Sequence, residues 1–335
     1  MISADELSQA ALVFGAVLVF VFVLSAANLG DRSPSWRIVA YTGTIGLCVI
    51  VGLLAVLNIV SSLFSPGLVP ASGVSATRFL TGNVIDLGGA VISPLFLLPW
   101  VRRRLAGVLH SFEPQSAINA VAACLYLLVT VFFLSLQVST DQLKAIKASG
   151  TSPSLLFIIG TNQLPFLIVA IAGVGLFVKR SPRQVLERLG LIWPGWRWIV
   201  ASAGVAVLLV VFGVVFDVLI TRLTPDQSKS INEVSQQLLS NVTNPGAAIA
   251  LALAAGIGEE VLFRGALQPR LGIIAAALLF AVLHTQYAIS LASLEIFILG
   301  LALGLLRRRA GVTGTIIAHA GYDLILLMIP FVLHK

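Results

Sequence analysis

Charged side chains are scarce in this chain of 335 residues: Asp, Glu, Lys and Arg together make up 10% of it. Hydrophobic residues make up 58%, and the mean hydropathy is +1.01. This composition excludes a soluble globular protein. Because helices satisfy their own backbone hydrogen bonds in hydrocarbon, long apolar runs are typical of membrane-spanning helices. The sequence therefore predicts an all-α fold, a polytopic integral membrane helical bundle.

Cysteine is nearly absent, so neither a redox compartment nor a disulfide framework can be inferred from it. Cys48 and Cys124 both lie in apolar segments and are expected to be packing residues. A secretory signal peptide is not expected either. Asp5 and Glu6, and no Lys or Arg, precede the first apolar run, and that run is long for a signal peptide. We expect an uncleaved first helix.

Ten apolar segments approach or exceed the roughly 20 residues needed to cross a bilayer. The ninth is short and the turn before it is poorly defined, so we predict eight to ten transmembrane helices. The ten segments are 9–29, 38–64, 83–101, 117–138, 154–178, 198–221, 246–266, 272–290, 291–306 and 312–333.

The basic residues set the predicted topology. The net charge is +7, but apart from Arg264 the Lys and Arg side chains fall outside the apolar runs, fourteen in one set of alternate loops and six in the opposite loops and tail. An excess of Lys and Arg marks cytoplasmic loops. We therefore predict both termini outside and, with the compact loops, a bacterial plasma membrane. The partner of these charges is the membrane lipid bilayer and not nucleic acid.

A basic stretch at 179–191 marks a change in composition. Indole rings favour the headgroup region of a bilayer, and three follow at once: Trp193, Trp196 and Trp198. We place a boundary here. It separates an N-terminal transmembrane region of about five helices and unknown role, 1–178, from a C-terminal core, 179–335.

Two polar segments interrupt the apolar pattern. In the fifth span, Asn162 and Gln163 ahead of Pro165 indicate a helix break. Between the sixth and seventh spans, the polar segment 224–245 carries apolar residues along one helix face: Ile231, Val234, Leu238 and Leu239. We predict an amphipathic helix on the outer surface of the bilayer, either an inert connector or a gate over the site.

Three charged side chains interrupt the seventh span: Glu259, Glu260 and Arg264. A charge at membrane depth costs from about 2.5 kcal/mol upward, so such residues are candidates for function. Glu260 and Arg264 share a helix face, which predicts an ion pair that keeps Glu260 ionised. Glu259 lies about 100° round the helix and is free for a different role.

Two later spans carry two histidines and a further carboxylate. His284 follows Phe280 by one turn, and His319 precedes Asp323 by four residues, so that this carboxylate can orient the imidazole. From the rise per residue, Glu259 and His319 lie about 10 Å from the predicted cytoplasmic ends of their spans, and His284 about 15–20 Å. All three fall in the cytoplasmic half and are expected to line one cavity.

These residues form three motifs in one order: Glu259-Glu260-Val-Leu-Phe-Arg264, Phe280-Ala-Val-Leu-His284 and His319-Ala-Gly-Tyr-Asp323. On the last helices of a polytopic protein, this order resembles the CPBP intramembrane proteases. That family includes the CAAX prenyl endopeptidases and bacterial bacteriocin-processing and self-immunity relatives. The strong resemblance covers about 259–323, and the first five spans carry none.

The resemblance implies hydrolysis of a peptide bond in a membrane-associated or lipidated protein or peptide. It makes Glu259 and His284 the residues that hold and activate the attacking water, with Glu259 as general base. It implies that Arg264 positions Glu260. His319, oriented by Asp323, lies where the oxyanion develops.

Metal use is left open at this point. Glu259, His284 and His319 would make a zinc set with an open fourth position. No His-Glu-x-x-His helix is present, and the family has been described both as metalloproteases and as metal-independent glutamate proteases. A bound Zn²⁺ and a glutamate mechanism without metal both fit these residues.

Two other classes of function are considered. Buried Glu and His in a ten-span protein could serve a proton-coupled membrane transporter, and a catalytically idle relative could act as a membrane scaffold or immunity protein. The ionisable groups cluster in the last four spans and no internal repeat relates the two halves, which favours the enzyme. Glu295 matches none of the motifs and is expected either to line the cavity or to be a satisfied structural carboxylate.

Overall fold

The chain is an integral membrane protein built from helices. The computed structural model describes residues 3–64, 75–141 and 153–333, and it contains no β-strand in these ranges. Eight helical runs are long and apolar enough to cross a bilayer. The predicted all-α polytopic bundle, with eight to ten spans, is confirmed.

The described residues of the N-terminal region contain six α-helices, and a π-helical turn, Ile159–Gln163, interrupts the last of them where a break was predicted. They are α1 (Ala4–Gly30), α2 (Pro34–Phe64), α3 (Ala76–Ile92), the short α4 (Pro99–Val108), α5 (Ala117–Ser139) and α6 (Leu155–Val174).

Six further helices follow, with a second π-helical turn, Val261–Leu267, between the fourth and fifth of them. They are α7 (Pro182–Leu189), α8 (Trp196–Leu223), α9 (Pro225–Leu239), α10 (Pro245–Glu260), α11 (Gln268–Leu283) and α12 (Leu291–Leu333).

The last apolar run folds back on itself at Gly311, whose φ of 66° lies in the region that glycine adopts readily. The Glu260–Arg264 pair contacts both the Gly300 carbonyl and the His319 ring. Gly300 and His319 would stand about 28 Å apart along one straight helix. α12 is therefore a helical hairpin, with one arm on each side of Gly311.

The preceding run folds back at Gly272, where φ is 84°. The rings of Phe263 and Phe280 lie 5.2 Å apart although seventeen residues separate them in the chain. α11 then ends at Leu283, and His284 caps it with non-helical angles (φ −81°, ψ 63°). The predicted extension of this span to 290 is wrong, because the His284 ring bonds the Phe280 carbonyl at 2.7 Å and occupies the acceptor of the last turn.

Two hydrophobic cores are joined by α6. One lies among α1, α2 and α5; the other lies among the C-terminal helices. Val169 packs against both cores, whereas Ala170 and Val174 belong to the C-terminal one. The boundary at 178/179 stays a prediction, and α6 packs across it into the C-terminal core.

Asp31 ties the end of α1 to two other elements. Its carboxylate lies 2.7 Å from Lys179 Nζ, and it accepts hydrogen bonds from the backbone N–H of Ala117 and the hydroxyl of Ser116. Burial by itself would raise the pKa of Asp31. The Lys179 ammonium and the two hydrogen bonds outweigh burial, so the pKa of this carboxyl lies below its usual range.

The predicted amphipathic helix is confirmed as α9. Val234 is 3% exposed, as expected of the apolar face. α9 packs against α8 and against the short turn Thr285–Tyr287 that follows α11. This places α9 beside the cavity described next.

Candidate active site

Glu260 is the centre of a fully buried polar cluster. Its Oε1 lies 2.8 Å from Arg264 Nη1 and 2.8 Å from His319 Nδ1. Arg264 also donates to the Gly300 carbonyl at 3.2 Å. The predicted Glu260–Arg264 pair therefore forms, although the π-helical turn begins between its two members. It ties the end of α10 to both arms of the α12 hairpin.

His319 is held mainly by Glu260. Because a carboxylate oxygen accepts, Nδ1 of His319 is the donor in their 2.8 Å bond. We expected Asp323 to orient this ring, but its Oδ2 lies 3.5 Å from Nε2, which is a longer contact. With Nδ1 committed to Glu260, Nε2 is the nitrogen left for a group in the cavity.

His284 faces Glu259 across a gap. Nδ1 of His284 lies 2.7 Å from the Phe280 carbonyl oxygen, which can only accept, so Nδ1 carries the proton. In the neutral ring Nε2 is then an unprotonated acceptor, and it lies 3.9 Å from Glu259 Oε2. Glu259 Oε2 is buried and has no hydrogen-bond partner among the described residues. With the His284 ring neutral, two acceptors thus face one another.

Phe280 packs against the arginine and both histidines of the cluster. The Arg264 guanidinium carbon lies 4.4 Å from its ring centroid, close enough for a cation–π contact. The His284 and His319 rings lie 4.7 and 5.8 Å from the same centroid. The Phe280 ring therefore fixes the spacing between the two imidazoles and shields the arginine.

Gln163 completes the cluster from outside the C-terminal motifs. Its Nε2 donates to Glu259 Oε1 at 3.1 Å, and its side chain is buried. Close approach of the two helices depends on Gly258, since a Cβ there would lie 2.7 Å from the Gln163 carbonyl oxygen. Sequence reasoning did not include Gln163 in the site. The available signal was the polar Asn162-Gln163 break in an apolar span.

A cavity of about 280 Å³ opens over these groups. Much of its lining is leucine and isoleucine, and its polar lining comes from Glu259, His284, His319, Asp323, Tyr287, Tyr322, Gln286 and Ser235. Glu260 and Arg264 are not in its lining and lie behind two residues that are, His319 and Phe280. α9 contributes Ser235, Leu238 and Leu239 to the opposite wall. The predicted amphipathic helix is thus part of the cavity and more than a connector.

Glu295 lies to one side of the cluster. Its carboxylate faces Gly213 of α8, where an added Cβ would approach Oε1 to 3.2 Å and the Tyr322 hydroxyl to 3.4 Å. A hydrophobic neighbour, Ile296, lines the cavity instead. Glu295 is not among the residues that line the cavity, and its role as a satisfied structural carboxylate stays a prediction.

The predicted zinc set does not converge in this structure. Glu259 and His284 face each other, but Nδ1 of His319 is bonded to Glu260 and its Nε2 is directed towards Asp323. Among the described residues, no three His, Cys, Asp or Glu side chains gather closely enough to hold a metal ion.

The fold and the site define a class: a polytopic membrane protein with a buried carboxylate–histidine cluster facing an apolar cavity. Residues 241–325 match the family model of the type II CAAX prenyl endopeptidases, Rce1-like. The matched segment contains all six residues predicted for the site. The resemblance to the CPBP proteases is thereby confirmed for this part of the chain.

One curated relative comes from Bacillus subtilis (strain 168) and is named uncharacterized protein YpbD. It is 30% identical over 121 residues, which cover 36% of this chain. The chain spans 60% of the length of that relative. No solved structure matches the chain.

Proposed function

We propose that the protein is an intramembrane endopeptidase that hydrolyses a peptide bond in a membrane-associated or lipidated protein or peptide. The observation that carries the proposal is the gap between Glu259 Oε2 and His284 Nε2. Two acceptors 3.9 Å apart repel unless a donor lies between them. A water molecule supplies two O–H donors, and its oxygen is then directed into the cavity.

In the proposed reaction Glu259 is the general base. It takes a proton from this water as the water oxygen attacks the carbonyl carbon of the scissile peptide. His284 Nε2 accepts the second O–H and aims the attacking lone pair. When the tetrahedral intermediate collapses, the C–N bond breaks and Glu259 returns the proton to the departing amine. General-base catalysis of this kind typically contributes about 10²–10⁴-fold.

His319 is the proposed oxyanion group. In its protonated form, Nε2–H donates to the oxygen that gains charge as water attacks. Removing one such donor typically costs about 10²–10³-fold in kcat. The Glu260–Arg264 pair is a positioning element in this scheme, because it fixes the His319 ring from behind the cavity. Asp323 lies beside the same Nε2 and limits rotation of the His319 ring.

The walls of the cavity support the proposed substrate class. Its apolar lining favours a chain that already resides in the bilayer, and the family of the matched segment is one of prenyl endopeptidases. We propose that the 179–335 core supplies the catalytic side chains and that the 1–178 region contributes Gln163, which holds the second oxygen of Glu259.

The test uses the full-length protein purified in detergent with a panel of fluorogenic and prenylated peptides. Glu259→Gln and His284→Ala are each expected to lower cleavage at least 100-fold. Glu187→Gln is the matched control, because it makes the same chemical change on the exposed face of α7. Every variant is run with and without chelator, and loss of cleavage that Zn²⁺ restores would support a metal-dependent reaction.

Cleavage by Glu259→Gln within twofold of the wild type would overturn the assignment of the base. If the wild type cleaves nothing while Glu259→Gln abolishes proton-coupled uptake in vesicles, the transporter takes the place of the enzyme. If the wild type cleaves nothing but still binds a membrane protein partner, a scaffold takes the place of the enzyme.

We also propose a membrane topology, in which both termini lie outside a bacterial plasma membrane, because Lys and Arg are in excess in alternate loops. Single cysteines replacing the exposed Arg103 and Asp226 test this with a membrane-impermeant maleimide on intact cells. Asp226→Cys is expected to react and Arg103→Cys only after lysis. The opposite labelling pattern would show that both termini lie on the cytoplasmic side.

A further inference from the structure

A second cavity, about 570 Å³, lies between the N-terminal helices and the C-terminal core. α1, α5 and α6 form one wall, and the π-helical turn and α11 form the other. The lining runs along α1 from Leu12 to Asn28, about 24 Å at the rise of a helix. Half of a bilayer's hydrocarbon core is about 15 Å deep. The cleft is therefore deep enough for the acyl chains of one leaflet, and most of its lining is apolar.

Four cationic side chains line the Asn28 end of this cleft: Lys179, Arg180, Arg188 and Arg270. Two of them have carboxylate partners. Lys179 pairs with Asp31 at 2.7 Å, and Arg270 pairs with Glu113 at 2.9 Å. The four cations therefore carry two more positive charges than their two carboxylate partners balance.

The other two cations, Arg180 and Arg188, have no carboxylate partner within the described part of the chain. Arg188 donates to the Gly265 carbonyl at 3.1 Å, and Arg180 donates to the Val174 carbonyl. Partial burial, followed by repulsion from Arg270, Arg180 and Arg307, lowers the pKa of Arg188 to about 10. An anion at this end of the cleft would relieve that repulsion.

We propose that this cleft binds an anionic phospholipid, with its acyl chains along α1 and α5 and its phosphate between Arg180 and Arg188. A guanidinium binds phosphate oxygens through paired N–H donors. Basic pockets between transmembrane helices on the cytoplasmic side are typical sites for anionic headgroups. The basic end of the cleft lies on the side that the charge bias assigns to the cytoplasm. The proposal is independent of the reaction in the other cavity.

The test is lipid binding to delipidated full-length protein in detergent, measured by native mass spectrometry. Phosphatidylglycerol, phosphatidylcholine with the same acyl chains, and glycerol 3-phosphate separate the contributions of charge and chain. Phosphatidylglycerol is expected to bind at least tenfold more tightly than either of the others. Arg180→Gln and Arg188→Gln are each expected to weaken its binding about fivefold. Arg103→Gln, at an exposed site outside the cleft, is expected to change nothing.

A second variant tests the apolar part of the site. Ala122 lines the cleft on α5, and Ala122→Phe is expected to displace the chains and weaken both phospholipids alike while leaving the arginines intact. This variant also decides the question if Arg188→Gln fails to fold. Equal binding of the two phospholipids, equal binding of glycerol 3-phosphate, or insensitivity to both Arg180→Gln and Ala122→Phe would each overturn the proposal.

Discussion

Replacement of Gln163 by leucine tests whether the N-terminal region takes part in the chemistry. The substitution removes the 3.1 Å hydrogen bond to Glu259 Oε1 and keeps the size of the side chain close to that of glutamine. Without this donor, neither oxygen of the buried carboxylate has a hydrogen-bond partner among the described residues, and the group is free to turn away from His284.

The expected size of the effect follows from the type of bond. A hydrogen bond to a charged group is worth about 1.5–3 kcal/mol. If all of that is lost from the transition state, the rate falls about 10- to 100-fold. Gln163 is not among the residues that line the cavity. The loss should therefore appear in kcat, with KM little changed.

The matched control is the neighbouring amide, Asn162→Leu. Asn162 lies in the same π-helical turn but is exposed, so its replacement tests the turn without touching Glu259. Steady-state cleavage of one fluorogenic peptide by both variants is the assay, with thermal unfolding as a check on folding. If Gln163→Leu and Asn162→Leu cleave equally well, Gln163 does not position the base.

Three other predictions concern packing, buried charge and pH. Gly258→Ala places a Cβ 2.7 Å from the Gln163 carbonyl and is expected to cost about 1–3 kcal/mol of stability and to lower kcat, whereas Gly204→Ala, which meets no atom within 4 Å, is neutral in both assays. Arg264→Met leaves the buried Glu260 without its guanidinium partner, with the His319 hydrogen bond remaining, and is expected to cost about 3–5 kcal/mol in thermal unfolding; a loss below about 1 kcal/mol, as for an exposed pair, contradicts this. Asp31 has a lowered pKa in the folded state, so its contribution is complete above the unfolded value of about 3.9 and is lost as the pH falls through the lower folded-state pKa. Asp31→Asn is therefore expected to lower Tm at pH 6 and to lower it by less at pH 3, while the exposed Asp226→Asn has little effect at either pH.

The sequence predicted the fold class and most of the cluster for identifiable reasons. The cost of charge in hydrocarbon singles out Glu259, Glu260 and Arg264, and a spacing of four residues predicts the ion pair without tertiary information. Spacing also led to an incomplete conclusion at His319. Asp323 is its partner by sequence, but Glu260, fifty-nine residues away, makes the shorter contact. Local periodicity cannot rank a distant partner against a near one.

The sequence by itself determined that the protein is helical and lies in a membrane, because composition alone decides where backbone hydrogen bonds must be satisfied. It also predicted which ionisable groups are candidates for a functional role. Only the tertiary structure decided that Gln163 donates to Glu259 and that α9 forms part of the cavity wall. It also decided that two apolar helical segments fold back at Gly272 and Gly311. These features depend on which helices come into contact. An apolar helix face fits many neighbours, so its sequence does not specify which one it meets.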